Sequence, residues 1–385
     1  MKRFVLWLLI AALTVCFSGC AGWNANEYVS VVDHDAPYAY HPEATETAEE
    51  TNPPIPTASN YYQMRTILRG FVISGVEHGQ LILTDYEGEL EGDLKKVTRY
   101  LTAEDPISAY ATDYLACERK SYGSGWLITV NAVYRRSVSE IQAIQPVRGT
   151  DTAYKKMLDA LIQQNGSVTL QVSGYINTDF NQKLYQYCLE NPDEIPVPPM
   201  ISVASYPDSG NVRVLEVHFV YEYDRETLRN MRTEADAMLN SAYNYIRYAK
   251  SDPEKIELLY TFLTSRFPCQ KKAKAGAYDL LCKGECDPMS FSSVVNYLCN
   301  KAELESYIVT GTKDGAEHCW NIIGADGVYR HFDFFTAAME EQPAEGKTDD
   351  EMTEYKWSRA SFPACTETSL EPSEPAPGET NVQTP

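Results

Sequence analysis

The chain repeats itself at a period of about 87 residues, and this constrains its fold more than any other feature of its 385 residues. Leu81-Ile82-Leu83 corresponds to Val168-Thr169-Leu170, and Asp105-Pro106 to Asn191-Pro192. Leu127 to Tyr134 (LITVNAVY) corresponds to Val214 to Tyr221 (VLEVHFVY). A unit of this length is too large for one solenoid element and reads as a duplicated small α+β domain. Each copy patterns as helix, strand, helix and then two strands, with the copies at 60–147 and 150–236. In the second, a period of two sets Leu215, Val217, Phe219 and Tyr221 on one face of a strand. His218 falls on the opposite, more polar face and reads as a structural residue. Tyrosine-rich strands suit a pleated, half-buried surface, so both copies are expected to be scaffolding or recognition domains.

The first residues supply an address. Met1-Lys2-Arg3 is a basic start, Phe4 to Phe17 is uncharged and mostly apolar, and Ser18-Gly19 precede Cys20. This is the form of a secretory signal with a processing site. Phe17-Ser18-Gly19-Cys20 resembles a bacterial lipoprotein box, which implies removal of 1–19, a lipid on Cys20 and an extracytoplasmic protein anchored to the membrane. An uncleaved span is the alternative, since Phe4 to Trp23 just reaches the ~20 residues a spanning helix needs. Residues 20–59 are rich in Thr, Glu, Ala and Pro and are expected to form a disordered acidic tether. The tail, 366–385, has the same character. The formal charge of −21 repels phosphate backbones and argues against nucleic acid as a partner.

Beyond Cys20 lie Cys117, Cys188, Cys269, Cys282, Cys286, Cys299, Cys319 and Cys365. An exported protein can form disulfides, but spacing alone does not assign them. If Cys286 is reserved for chemistry the remainder is odd, so at least one other thiol has no internal partner. Cys282, Cys286, Cys299 and His318 are a conceivable zinc set, though they lack a second closely spaced ligand pair.

The last third, 237–365, carries the chemistry. Leu228 to Lys250 has few helix breakers, and Ser251-Asp252-Pro253-Glu254 restarts a helix, capped by Ser251 or by Asp252. Ile256, Leu259, Tyr260, Leu263 and Phe267 recur at helical spacing. Asp287-Pro288 is a further helix start, followed by an apolar stripe of Phe291, Val294, Val295 and Leu298. Cys286 therefore sits just ahead of a helix N-terminus, where the dipole and free N–H groups favour thiolate. His318 (EHCWNII) and Asp333 (GVYRHFDFF) flank a hairpin with Asp326-Gly327 in its turn. A two-residue turn pairs Ala325 with Val328, and by extension His318 with Phe335, placing Asp333 diagonally from His318 on the same face. Cys286, His318 and Asp333 are the candidate nucleophile, base and orienting carboxylate. Cys319 is expected in the core and His331 as a solvated strand residue.

In their order, Cys286, His318-Cys319-Trp320-Asn321 and Asp333 resemble the transglutaminase-like domain of the papain-type cysteine enzyme superfamily, over roughly 85 residues from Pro253. The resemblance implies a cysteine-bearing helix packed on an antiparallel sheet, the triad Cys286, His318 and Asp333, and no metal or organic cofactor. It also implies a thioester intermediate on amide or peptide bonds, with a protein or cell-wall peptide as substrate. No amine site is visible, so hydrolysis is preferred to cross-linking. The family commonly follows its cysteine with an acidic or variable residue and then Gly-Tyr/Phe-Ala/Ser. Here the sequence is Asp287-Pro288-Met289-Ser290, which implies a changed pocket wall. A non-catalytic surface module that binds protein or cell-wall peptide is the rival expectation.

Overall fold

Alternating apolar residues and well-formed helix caps organise the chain into three four-stranded sheets with helices packed on them, an α+β fold. The computed structural model describes residues 54–266 and 268–367. Cys20, the signal ahead of it, residues 20–53 of the expected tether, most of the tail and Phe267 lie outside the described residues. From Ile55 onward the described chain belongs to one compact unit.

The first sheet is built from β1 (Thr57–Asn60), β2 (His78–Glu87), β3 (Thr112–Tyr122) and β4 (Gly125–Tyr134) in the order β1-β2-β4-β3. Helices α1 (Tyr61–Ile73), α2 (Leu90–Ala103) and α3 (Pro106–Ala111) complete this part. Met64, Leu68, Val97 and Leu101 of α1 and α2 are buried with Leu81, Leu83, Ile128 and Val130 of the sheet. A short helix, α4 (Val138–Gln142), leads to β5 (Gln145–Arg148), α5 (Thr150–Ile162), β6 (Ser167–Ser173), α6 (Phe180–Glu190), β7 (Met200–Tyr206) and β8 (Val212–Val220). Their sheet has the order β5-β6-β8-β7. In both sheets the first pair is parallel and the others antiparallel.

Each sheet thus opens with a four-residue parallel strand ahead of its first helix. The expected pattern of helix, strand, helix and two strands lacks it, because so short an edge strand gives too little alternation to register. β5 lies ahead of residue 150 and pairs with β6.

Leu215, Val217 and Phe219 enter the second core, with Tyr221 packed against it. The other face of β8, read as the more polar, is also covered: Val214 is 0% exposed and Glu216 6%. Tyr110 of α3 reaches Glu216, and Arg136 Nη2 lies 2.5 Å from Glu216 Oε2. Burial there comes from the first sheet's helices, which the local pattern of β8 does not encode.

The last part begins with α7 (Arg225–Ile246) and α8 (Asp252–Ser265). Of the two possible caps, Ser251 accepts the Glu254 N–H, while the Glu254 carboxylate accepts from Lys250 N. β9 (Gln270–Lys271) pairs in parallel with β10 (Glu285–Cys286), and α9 (Pro288–Lys301) follows. The third sheet contains β11 (Ser306–Lys313), β12 (Ala316–Ala325), β13 (Val328–Phe332) and β14 (Tyr355–Lys356), in the antiparallel order β13-β12-β11-β14. Helix α10 (Phe334–Met339) follows β13 directly. Phe291, Val294, Val295 and Leu298 of α9 share one core with Leu239, Ile256, Leu259, Leu263 and Ile323. Among the described residues no helix is long and apolar enough to cross a membrane.

Candidate active site

The hairpin turn at Asp326-Gly327 pairs Ala325 with Val328, as its sequence requires. The ladder stops at Asn321–Phe332, however, so His318 has no cross-strand partner in β13 and pairs with Gly311 of β11. Asp333 is not a strand residue. It is the N-cap of α10, accepting the Thr336 N–H on Oδ1 at 2.9 Å. This replaces the expected diagonal contact by a different route to the same neighbour. His318 Nε2 lies 2.7 Å from Asp333 Oδ2.

That oxygen also accepts from Tyr355 Oη at 2.7 Å and Thr336 Oγ1 at 2.6 Å. Lys313 Nζ donates to Thr336 Oγ1 at 3.0 Å and stands 4.0 Å from the carboxylate. Burial pushes the Asp333 carboxyl up, but hydrogen bonds from His318 and Thr336 outweigh it and hold the group below the usual range. Because every neighbour of Oδ2 is a donor, His318 must donate from Nε2, leaving Nδ1 for a reacting group. The imidazole packs among Trp320, Phe335 and Tyr355. A polar cleft of about 290 Å³ opens beside Asp333, lined in part by Lys313, Thr336, Glu340, Glu354 and Tyr355.

Cys286 precedes the Asp287 cap of α9, where Asp287 and Ser290 bond reciprocally and Pro288 opens the helix. Its side chain is 0% exposed and belongs to the core between α8, α9 and α10. Cys269 packs against the same core and is the thiol's strongest electrostatic neighbour, and no hydrogen bond joins Cys286 to His318 or Asp333 among the described residues. The Cys269 interaction first, and burial second, push the Cys286 thiol far up, while Cys269 is lowered. This reverses the expectation that the helix terminus favours a Cys286 thiolate: the adjacent Cys269 sulfur and the burial of Cys286 outweigh the dipole.

Cys319, Asn321 and Ile323 face α9, with Asn321 Nδ2 bonded to Ser292 O at 3.0 Å and Cys319 packed with Met289. Trp320 and Ile322 face the other way, toward Val309, Met352 and Tyr355. His318 shares their parity and touches Tyr355. The structure therefore joins His318 and Asp333 directly, while no hydrogen bond among the described residues joins Cys286 to either.

His331, expected to be solvated, is 1% exposed. The segment after α10 folds back over β13, bridging His331 to Lys347 and packing Trp357 edge-on against the ring. Trp320 Nε1 donates to Nδ1 at 2.9 Å, so the ring proton sits on Nε2 and points to Asp349 at 2.8 Å. Among the described residues the converging ligand-type side chains are His331, Asp349 and Cys365, not Cys282, Cys286, Cys299 and His318. The Trp320 bond commits His331 Nε2 to donating, which suits a hydrogen bond rather than ligation. Cys319, at 2%, is a core residue.

The sequence reading missed Thr336, Tyr355, Lys313 and Cys269 as partners of the site. Thr336 carried a signal, since Asp-x-x-Thr is a helix-start pattern. Tyr355 and Cys269 lie well along the chain from the residues they meet and Lys313 stands on the neighbouring strand β11, and none of these carried one.

No family model matches the chain, and no curated protein matches it. Solved structures to which it is similar include a TGase, at 10% identity and TM-score 0.24, covering 49% of this chain and 58% of that one. A proposed cysteine protease from Cytophaga hutchinsonii is 11% identical at TM-score 0.23, covering 41% and 70%. A proposed protease from Parabacteroides distasonis is 8% identical at TM-score 0.22, covering 55% and 47%. The chain thus spans less than two thirds of the first of these structures.

Proposed function

We propose that this is a lipid-anchored extracytoplasmic protein whose C-terminal part is a transglutaminase-like domain that binds a protein or cell-wall peptide without turning it over. The anchor rests on the Cys20 motif and the domain on the His-Cys-Trp-Asn and Asp333 motifs. The observation that carries the non-catalytic reading is the Cys286 thiol, buried against Cys269 and unbonded to His318. The residue pattern supports it. In the family an aromatic and a small residue stand three and four places after the cysteine. Phe291 and Ser292 fill those places here, and they set Pro288, the first residue of α9, where the thiol belongs. Proline offers no nucleophile. The polar cleft beside Asp333 suits peptide groups of either charge.

One observation favours the rival enzyme. The His318–Asp333–Tyr355–Thr336 network is a complete base-orienting array. In that reading Cys286 leaves Cys269 and attacks a carboxamide or peptide carbonyl, and His318 takes its proton and returns it to the ammonia or amine that departs as the thioester forms. The thioester then goes to water in preference to an amine.

Alkylation of the reduced, native protein across pH, with and without His318→Ala, separates the two. The binding reading expects Cys286 to resist iodoacetamide in both, and glutamine-containing peptides to be recovered unchanged with or without an added amine. A Cys286 reactivity that His318→Ala abolishes, or any hydrolysed or isopeptide product, would overturn it.

A further inference from the structure

Cys269 and Cys286 lie 17 positions apart in the chain and meet through a two-stranded sheet of two residues a strand. β9 and β10 hold Gln270 opposite Glu285 and Lys271 opposite Cys286. Gln270 N donates to Gly284 O and Lys272 N to Cys286 O, both at 2.8 Å, fixing the two segments side by side. Gly284, at φ +73°, ends the π-helical turn Asp279–Lys283 and aims β10 along β9. Cys269 stands two residues before Lys271, so it shares the face of the ribbon on which Cys286 points. Both side chains join the same apolar cluster.

The two thiols differ in access. Cys286 is fully buried, whereas Cys269 is partly exposed and lines a cavity of about 600 Å³ with Tyr260, Thr264, Met339 and Gln342. An accessible sulfur backed by a buried one is the arrangement of an attacking and a resolving thiol.

We propose that Cys269 and Cys286 form a reversible disulfide through exchange with an external disulfide, Cys269 reacting first from the cavity. The Cys269 thiolate attacks one sulfur of the incoming disulfide, making a mixed disulfide and releasing a thiolate. Cys286 gives its proton to solvent and attacks the Cys269 sulfur, expelling the second thiol. The protein loses two protons and two electrons, and the external disulfide is reduced to two thiols. The new bond ties the segment after α8 to the residue preceding the Asp287 cap, clamping the start of α9. The interaction is independent of whether the His318–Asp333 pair turns anything over.

The test uses the full chain in glutathione redox buffers, with thiols trapped by alkylation and mapped by non-reducing peptide mass spectrometry. As the buffer becomes oxidising, the expected result is a Cys269–Cys286 linked peptide, a free-thiol count lower by two, and a higher melting temperature. Cys286→Ala should stop the reaction at a glutathione adduct on Cys269. Cys269→Ser, the milder change because that site is partly exposed, should leave Cys286 reduced and unmodified. Recovery of both cysteines as free thiols in oxidising buffer would overturn the proposal, as would linkage of Cys269 to Cys282 instead. A linked pair together with peptide turnover would sink the binding reading and leave the disulfide intact.

Discussion

Asp333 Oδ2 accepts from His318 Nε2 at 2.7 Å while its other oxygen caps α10 through the Thr336 N–H. One carboxylate thus starts a helix and fixes an imidazole. The coupling means that the geometry of the candidate base depends on that helix start.

Asp333→Asn keeps a competent cap but cannot accept from all of His318, Tyr355 and Thr336. We expect a loss of about 3 kcal/mol, the scale for breaking a buried pair, read as a lower urea midpoint. The wild-type carboxyl lies below its unfolded value, so its contribution is complete above pH ~3.9 and is lost as pH falls through the folded value. The variant should lack that part of the acid limb.

His331 gives a second pH signature at a higher window. Burial depresses the imidazole despite Asp349 beside it. The unfolded chain binds a proton near pH ~6.5 that the folded chain refuses, so stability falls as pH is lowered through that value. Urea midpoints between pH 7.5 and 5 (roughly the window implied) should show this slope in the wild type. An unchanged slope in His331→Gln would count against it.

Pro288→Cys tests the assignment of the missing nucleophile. A thiol at the first residue of α9 gains the helix N-terminus, and in the proposed alignment it also gains His318. We expect its alkylation at neutral pH to exceed that of Cys286 by at least about tenfold and to drop in the His318→Ala background. Equal rates in both backgrounds would place residue 288 away from the imidazole.

Asp287 joins two segments. Oδ1 accepts from Ser290 N at 2.7 Å and Oδ2 from Ala275 N at 2.9 Å. Asp287→Ala should cost about 1–2 kcal/mol, the upper range for an N-cap, and expose the β9–β10 ribbon to faster amide exchange.

Between the first two sheets, Arg136 and Glu216 form a pair whose side chains are 22% and 8% exposed. Glu216→Ala strands the guanidinium and should lower stability by about 3 kcal/mol. Replacing both partners, Arg136→Met with Glu216→Leu, should recover most of it. A double mutant no more stable than Glu216→Ala would show that the pair itself holds the units together.

Much of the site was legible because its signals are local. Asp287-Pro288 marks the start of α9, and Phe291, Val294, Val295 and Leu298 are all buried where their spacing puts them. Asp326-Gly327 sets the hairpin register from four adjacent residues. The fate of Asp333 was half legible: its neighbour was expected correctly, but not the helix that ends the strand. His331 was misread because the cover over β13 comes from Lys347 and Trp357, more than fifteen residues on.

The sequence by itself determined where helices start, where the hairpin turns and which residues face a core, because caps, turns and periodicity act within a few residues. Only the tertiary structure decided where the sulfur of Cys286 points. That direction is set by the β9–β10 ribbon, which brings Cys269 beside it, and by α9 packing on the sheet face opposite His318's parity. Contacts between segments far apart in the chain leave no trace in the spacing of either, so three residue types that read as a triad in sequence fold into a bonded pair, His318 and Asp333, and a buried thiol that bonds to neither.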